Sequence, residues 1–179
     1  SEHDTMRKMN KHSFSAALKD RILENEPLFK YGNYRIGGPA DLFFDAKNIE
    51  DLEEITREAH RLKIPFRVIG QGSNILFRDE GFRGLIIRNL TKNIVIDQKS
   101  LPRQQTLHLI IDSGLSMAQF VRMIEEATIP GIEPWNSEGM YTDIKAVEEF
   151  HGLPGTVGGA VYGNAGCFGK EFSEMVTAV

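Results

Sequence analysis

Length, composition and charge place this chain among ordinary folded proteins. Its 179 residues suit one domain or two small ones, and 41% hydrophobic with 26% charged residues exclude a wholly disordered or fibrous protein. A formal net charge of −4 argues against a basic surface for nucleic acid, and a single cysteine excludes a disulfide framework. No apolar run approaches the roughly 18 residues that span a bilayer. We therefore expect a cytoplasmic protein with no nucleic-acid partner and no membrane partner.

The N-terminal residues predict a tail followed by a helix. Residues 1–12 are polar and have no period, so we interpret them as a disordered tail. The stretch from Ser15 to Asn25 is predicted to be helical, because apolar residues recur on one face. Those residues are Phe14, Leu18 and Ile22. The first folded unit is therefore expected to span residues 13–90.

A β-α-β unit is predicted next. The apolar run from Leu42 to Ala46 predicts a strand, and Asn48, which precedes two acidic residues, predicts the start of a helix that ends before Pro65. Residues 66–69 predict a second strand, parallel to the first and joined to it by a right-handed crossover. Further strands are predicted at residues 75–77 and 85–87.

The second unit is expected to span residues 91–179. A strand pair is predicted at residues 94–97 and 106–112, joined by a polar loop that contains Pro102. Ser116 and Gln119 predict a capping box that opens a helix. The remaining expectations are an irregular stretch at residues 130–142, a short helix from Asp143 to Phe150, and a strand at residues 176–179.

The first of two glycine-rich segments, Gly70-Gln71-Gly72-Ser73-Asn74, follows a predicted strand. Its glycines allow backbone N–H groups to point into one concavity, which suits a pyrophosphate, but a plain tight turn explains the same residues. The segment is a poor match to a Rossmann loop, because the sixth position is Ile75 and a strand is predicted next instead of a helix. Arg35, beside a Gly-Gly pair, is either a phosphate-binding residue or an ordinary surface arginine.

The second glycine-rich segment runs from Pro154 to Gly166. It carries almost no large side chains, so a flat ring or a phosphate fits against its backbone, with Thr156 and Asn164 as polar handles. Close packing of one backbone against another is the alternative. A metal site is not indicated, because the five histidines share no ligand spacing and Cys167 has no partner cysteine.

Five motifs occur in order along the chain. They are Tyr34-Arg35-Ile36-Gly37-Gly38-Pro39-Ala40-Asp41, Gly70-Gln71-Gly72-Ser73-Asn74-Ile75-Leu76, Gly81-Phe82-Arg83-Gly84, Gly152-Leu153-Pro154-Gly155-Thr156-Val157-Gly158-Gly159-Ala160-Val161 and Asn164-Ala165-Gly166-Cys167-Phe168-Gly169. In this order they resemble the UDP-N-acetylenolpyruvoylglucosamine reductase family (UDP-N-acetylmuramate dehydrogenases). The resemblance runs from about Tyr34 to Val179, and the combination is far more specific than any one motif.

The resemblance implies an α+β fold, namely a PCMH-type FAD-binding domain of two α+β subdomains with FAD between them. FAD would be bound non-covalently, because the first glycine loop has no nearby histidine to tether it. The residues that the resemblance assigns to the cofactor are Arg35, Ile69, Gly70, Gln71, Gly72, Ser73, Asn74, Ile75, Pro154, Gly155, Thr156, Gly158, Gly159, Asn164, Ala165 and Gly166.

The resemblance also implies an activity. In that family NADPH reduces FAD, and the flavin passes hydride to UDP-N-acetylglucosamine enolpyruvate, which yields UDP-N-acetylmuramate for peptidoglycan synthesis. The family's catalytic arginine, serine and glutamate, and its domain for the UDP-sugar, lie beyond the point equivalent to Val179. We therefore assign no catalytic residue and expect this chain alone to be inactive.

One departure from the family pattern and two alternatives remain. The stretch from Trp135 to Phe150 looks like an insertion that alters access to the flavin. The first alternative function is that of another PCMH-type FAD oxidoreductase, acting on a small alcohol or sugar. The second is that of a truncated, non-catalytic module that binds flavin or serves as a scaffold.

Overall fold

The computed structural model describes residues 10–97, 108–126, 128–129 and 145–179. The chain divides into two units, Ser1–Leu90 and Thr91–Val179. No helix of the described part is both long enough and apolar enough to cross a membrane. The predictions for the loop at Pro102, the irregular stretch at 130–142 and the cap at Asp143 lie outside the described residues.

The first unit is built on a sheet whose described strands have the order β1-β2-β4-β3. Its elements are α1 (Ala16–Lys19), β1 (Leu23–Pro27), β2 (Pro39–Ala46), α2 (Ile49–Arg61), β3 (Phe66–Ile69) and β4 (Phe82–Asn89). β1 is antiparallel to β2, whereas β2 and β3 are both parallel to β4. The predicted β-α-β unit is thereby confirmed in its elements and in the parallel direction of its strands, and β4 lies between those two strands, while the right-handed crossover stays a prediction.

The sheet buries a different apolar layer on each face, because successive residues of a strand point to opposite sides. The layer on the α2 side contains Leu42, Phe44, Leu85 and Ile87 from the strands with Ile55 and Ala59 from the helix. The opposite layer contains Phe43, Ile69 and Ile86 with Leu28, and Tyr31, Ile75 and Phe77 pack against it. The sheet is therefore covered on both sides, by a helix on one and by irregular chain on the other.

α2 begins where the sequence predicts. Asn48 Oδ1 accepts a hydrogen bond from the Asp51 N–H at 2.8 Å, which satisfies a free donor of the first turn. The Asp51 carboxylate accepts two hydrogen bonds from Arg21, at 2.6 and 2.5 Å, and one from the Lys47 N–H. The hydrogen bonds from Arg21 hold the pKa of Asp51 below its usual range. This ion pair ties the start of α2 to the chain that precedes β1.

The helix predicted from Ser15 to Asn25 is wrong in extent. Only α1 is helical, and the following residues form β1. Phe14, Leu18 and Ile22 are nevertheless buried, as the pattern predicts. The sequence conceals the strand because β1 is an edge strand of mostly exposed, polar residues, which produces no apolar alternation.

The strand predicted at residues 75–77 is also wrong. These residues have no regular structure, although Ile75 and Phe77 pack against the apolar layer around Phe43. Their apolar character therefore reflects burial and not strand pairing. The strand predicted at residues 85–87 is confirmed as the centre of β4.

The second unit is built from short elements in its described part. They are β5 (Ile94–Ile96), β6 (Leu109–Ile111), α3 (Met117–Glu125), α4 (Lys145–Glu148), α5 (Val157–Tyr162), β7 (Gly166–Cys167) and β8 (Lys170–Glu171). β5 is antiparallel to β6, which confirms the predicted pair where it is described. Ser116 Oγ accepts a hydrogen bond from the Gln119 N–H at 3.1 Å, so Ser116 caps α3 as predicted, but the Gln119 side chain accepts from the Ser116 hydroxyl, so the predicted capping box is only half formed. The core of the second unit includes Met117, Phe120, Val121, Ile124, Phe150 and Phe172.

The strand predicted at residues 176–179 is wrong. These residues have no regular structure, and the chain before them forms the β7–β8 hairpin and a 3₁₀ turn, Phe172–Glu174. The Phe172 ring meets the Phe150 ring edge-on, with 5.4 Å between centroids. Val176 is partly buried against this core, so its apolar character reflects packing against the core and not strand pairing.

Candidate functional site

A groove of about 520 Å³ opens in the first unit beside the carboxyl ends of β3 and β4. Its walls come from the chain after β1, the loop after β3 and the end of β4. The lining residues are Phe29, Lys30, Tyr31, Gly32, Asn33, Arg35, Gly70, Gln71, Arg88 and Leu90. In open sheets with parallel strands, ligands bind outside the carboxyl ends of the strands, so this is the expected position for a binding site.

The glycine loop, residues 70–74, forms one wall of this groove. Gly72 has a φ of +68°, and a Cβ there would lie 1.9 Å from the Tyr31 carbonyl oxygen. The Asn33 N–H donates a hydrogen bond to the Gly72 carbonyl at 3.4 Å. Gly72 is therefore required by the close approach of two backbones, whereas Gly70 and Gln71 are presented to the groove.

The charged side chains that line the groove are basic. Among the described residues they are Lys30, Arg35 and Arg88. Lys30 Nζ lies 2.9 Å from a carboxylate oxygen of Glu26, and Arg88 forms a bidentate pair with Asp45. Across the described ranges, the structure gives the Arg35 side chain no hydrogen bond or ion pair. Among the described residues that line the groove, Arg35 is therefore the cation that remains free for an anion.

Tyr31 is held by three neighbours. Its ring stacks on Phe43 with 4.3 Å between centroids, and the Arg88 guanidinium carbon lies 4.8 Å from the Tyr31 centroid. The Tyr31 hydroxyl donates a hydrogen bond to Glu26 at 2.9 Å. Burial, reinforced by the hydrogen bond to Glu26, raises the pKa of Tyr31 to about 12. The phenol therefore stays neutral at physiological pH and gives the groove a fixed aromatic surface.

The structure gathers part of the predicted cofactor set in this groove. Three predicted residues line it, namely Arg35, Gly70 and Gln71. The other predicted residues of the first unit belong to the loop or to its attachment to the sheet, namely Ile69, Gly72, Ser73, Asn74 and Ile75. The tight turn is confirmed at Gly72, whereas binding of a pyrophosphate by the loop stays a prediction, with Gly70 placed at the groove.

In the second unit, the other glycine-rich segment contains a helix. Thr156 Oγ1 accepts a hydrogen bond from the Gly159 N–H at 3.2 Å and so caps α5. Asn164 donates to a carboxylate oxygen of Glu171 at 2.8 Å and accepts from the Ser173 N–H at 2.9 Å. The two predicted polar handles are thus engaged within the unit.

The glycines of this segment have different surroundings. A Cβ at Gly158 would lie 2.7 Å from the Ser113 Cβ, so close packing requires this glycine. A Cβ at Gly159 would meet only Thr156 Oγ1, at 3.5 Å, and Gly155 has a φ of +108°. That these residues and their neighbours contact FAD stays a prediction, as it does for Pro154, Ala165 and Gly166.

Sequence reasoning missed several lining residues of the groove, namely Lys30, Tyr31, Asn33 and Arg88. A signal existed for Arg88, because a charged residue directly after the apolar run at 85–87 falls at the carboxyl end of a buried strand. No comparable signal marked the other three. They become neighbours of the glycine loop only because the unrecognised strand β1 brings their segment beside the sheet.

The sheet, its groove and the glycine loop agree with one class of protein. A profile of the FAD binding domain family matches residues 40–138, which include the parallel strands and the loop. The chain therefore belongs to the FAD binding domain family. The hydrogen-bond donors of the groove fit FAD. Among the described lining residues, Arg35 has an unpaired side chain and Gly70 presents its backbone, and both suit the diphosphate of FAD.

Individual relatives of this chain include UDP-N-acetylenolpyruvoylglucosamine reductases. The one from Carboxydothermus hydrogenoformans is 32% identical over 169 residues, and the one from Syntrophus aciditrophicus is 30% identical over 171 residues. Each match covers 94% of this chain and 49% of the relative. The crystal structure of the Thermus caldophilus reductase matches with a TM-score of 0.52 at 25% identity, covering 84% of this chain and 44% of that one. The expected α+β class and the resemblance to this reductase family are confirmed, and the chain spans about half the length of these relatives.

Proposed function

We propose that this chain is the FAD-binding portion of an NADPH-dependent reductase that converts UDP-N-acetylglucosamine enolpyruvate to UDP-N-acetylmuramate in peptidoglycan precursor synthesis. The support is the family membership together with reductase relatives that match 94% of the chain. FAD, bound without a covalent link and reduced by NADPH, would supply the hydride chemistry. We expect the protein to act in the cytoplasm.

The observation that carries the proposal is the basic groove of the first unit. Arg35, whose described surroundings hold no partner for its side chain, would pair with the FAD diphosphate, while Gly70 and Gln71 would present backbone and amide donors to it. Lys30 and Arg88 are each already paired with a carboxylate, so among the described lining residues Arg35 would be the main source of charge for the diphosphate.

The second unit has a separate part in the proposal. Its small residues from Pro154 to Gly166 would offer a surface to the flavin. Of the two glycines in α5, Gly159 has more free space around its Cα than Gly158. Because Thr156 and Asn164 already bond within the unit, the backbone and not those side chains would meet the ligand.

The UDP-sugar and the catalytic arginine, serine and glutamate belong to a further domain in this proposal. The relatives are about twice as long as the part that matches, which leaves room for such a domain. These 179 residues would then bind FAD, and turnover would require the rest of the enzyme.

The proposal is tested by titrating the purified chain with FAD and following the visible flavin absorption at several salt concentrations. We expect saturable binding, and we expect Arg35→Met to weaken it about tenfold and to flatten its salt dependence, because one charge-assisted contact is lost. Arg57→Met is the matched control, since its side chain is 74% exposed on α2 and away from the groove.

Two results would contradict the proposal. A chain that takes up no FAD would overturn it altogether. An Arg35→Met variant that keeps wild-type affinity and wild-type salt dependence would overturn the assignment of the groove to the diphosphate.

A further inference from the structure

An ion pair lies at the carboxyl end of the sheet, directly beside the glycine loop. Ile69, Arg88 and Asp45 form one row across β3, β4 and β2. Arg88 Nε lies 2.8 Å from one carboxylate oxygen of Asp45, and Arg88 Nη2 lies 2.7 Å from the other. The planar guanidinium is thereby held in one orientation, because both bonds must form together.

The oriented guanidinium lies against Tyr31. Its carbon is 4.8 Å from the Tyr31 ring centroid and 5.9 Å from that of Phe43, on which Tyr31 stacks. The Tyr31 hydroxyl is bonded to Glu26 at the far end of the ring. The Tyr31 ring therefore has little freedom to turn, because residues at the end of the sheet hold it in place.

The backbone of Tyr31 in turn meets the glycine loop. Gly72 approaches the Tyr31 carbonyl so closely that a Cβ would lie 1.9 Å from that oxygen, and the Asn33 N–H bonds to the Gly72 carbonyl. A continuous series of contacts thus runs from the ion pair through Tyr31 to the loop that lines the groove.

We propose that the Asp45–Arg88 ion pair positions the glycine loop for FAD, acting through Tyr31, and that Arg88 is not itself a ligand of the cofactor phosphates. This inference rests on the proposed function of the groove. It divides the work between two arginines: Arg35 supplies the free charge, whereas Arg88 supplies geometry.

The alternative, in which Arg88 binds phosphate directly, makes the opposite prediction for one substitution. Asp45→Asn removes a negative charge beside Arg88, so an Arg88 that binds phosphate should hold FAD more tightly. If Arg88 is a positioning residue, the same substitution loosens its bidentate contact and weakens FAD binding. The sign of the change in affinity therefore separates the two roles.

The chain offers a matched control at the other end of the same two strands. Asp41 and Arg83 form an ion pair of 2.9 Å near the amino ends of β2 and β4, and neither residue lines the groove. Asp41→Asn makes the same change in charge and shape. We expect Asp45→Asn to raise the Kd for FAD about tenfold and Asp41→Asn to change it less than about twofold, with an unaltered salt dependence in both.

Amide hydrogen exchange of the ligand-free chain provides a readout that does not need FAD. The N–H groups of Tyr31 and Asn33, which bond to Leu28 and Gly72, should exchange faster in Asp45→Asn than in Asp41→Asn. If the wild-type chain takes up no FAD, the proposed function fails, while this comparison still decides whether the ion pair holds the loop. Unchanged exchange at both amides would overturn the inference.

Two substitutions of Arg88 complete the experiment. Arg88→Lys keeps the charge but loses the planar fork, so we expect it to bind FAD as weakly as Arg88→Met. Wild-type affinity in Arg88→Lys, or tighter binding in Asp45→Asn, would show that the charge of Arg88 matters and its geometry does not, which would overturn the positioning role.

Discussion

The two glycine-rich segments look alike in sequence and differ in structure. Residues 70–74 follow β3, an edge strand of the sheet, and border a groove whose charged lining residues, in the described chain, are basic. The segment of the second unit contains α5, and its polar side chains bond to neighbouring backbone and side-chain groups. Clustered small residues therefore indicate a close backbone approach in both units, whereas the charges around them indicate where an anion would be attracted.

The greatest change in stability should distinguish a glycine that packing requires from a glycine that packing does not require. Gly72→Ala places a Cβ 1.9 Å from the Tyr31 oxygen at a positive φ, so we expect a loss of about 3 kcal/mol of unfolding free energy. Gly159→Ala meets only Thr156 Oγ1 at 3.5 Å and favours the helix, so we expect a gain of roughly 0.5 kcal/mol. Urea unfolding followed by circular dichroism measures both, and equal effects would remove the distinction drawn here.

A smaller effect should come from the ion pair on the α2 side of the sheet. Asp51→Asn removes the partner of Arg21, and we expect a loss of about 1.5 kcal/mol, moderated because Arg21 is partly exposed. The pKa of Asp51 is lowered in the folded chain, so this stabilisation is present above the unfolded pKa of ~3.9 and is lost as the pH falls through the lower folded value.

This substitution also sharpens the contrast between stability and binding. Asp51 lies at the start of α2, whereas the groove residues lie at the end of the sheet, so FAD affinity should remain at the wild-type level. Urea midpoints measured from neutral to acidic pH test the stability, and an FAD titration tests the affinity. A variant whose acid sensitivity equals that of the wild type would contradict the assigned role of the pair.

The smallest effect concerns the helix caps, one in each unit. Thr156→Ala should destabilise the second unit by about 1 kcal/mol, as Asn48→Ala should destabilise the first, because each removes the acceptor for a first-turn N–H. Thr156→Ser keeps the acceptor and should restore stability, which thermal unfolding can measure. If Thr156→Ala lowers FAD affinity and leaves stability unchanged, the side chain is a ligand handle and not a cap.

Local signals in the sequence were sufficient for several elements. Asn48 and Ser116 mark the starts of α2 and α3, since a cap depends only on residues within one turn. The apolar run from Leu42 to Ala46 forms a buried strand, as its composition predicts. The motif order also sufficed for the family, because the spacing of several motifs is a property of the chain alone.

Other features depended on distant parts of the chain. β1 is polar because one of its edges is open, so only its pairing with β2 reveals it as a strand. Residues 75–77 are apolar because they cover Phe43, and no local pattern distinguishes such cover from a strand. The groove depends on β1, because β1 brings the following segment, which contains Tyr31, beside the loop that follows β3.

The starts of α2 and α3, the buried strands β2 and β4 and the family could be predicted from the amino-acid sequence, because caps, apolar runs and motif order are encoded in short windows, whereas α5 was not predicted. Three further features could be seen only in the folded chain: which cations share a groove, that Gly72 serves packing, and that Arg88 contacts both Asp45 and Tyr31. These features join residues that are far apart in the chain, and burial and strand pairing bring those residues together.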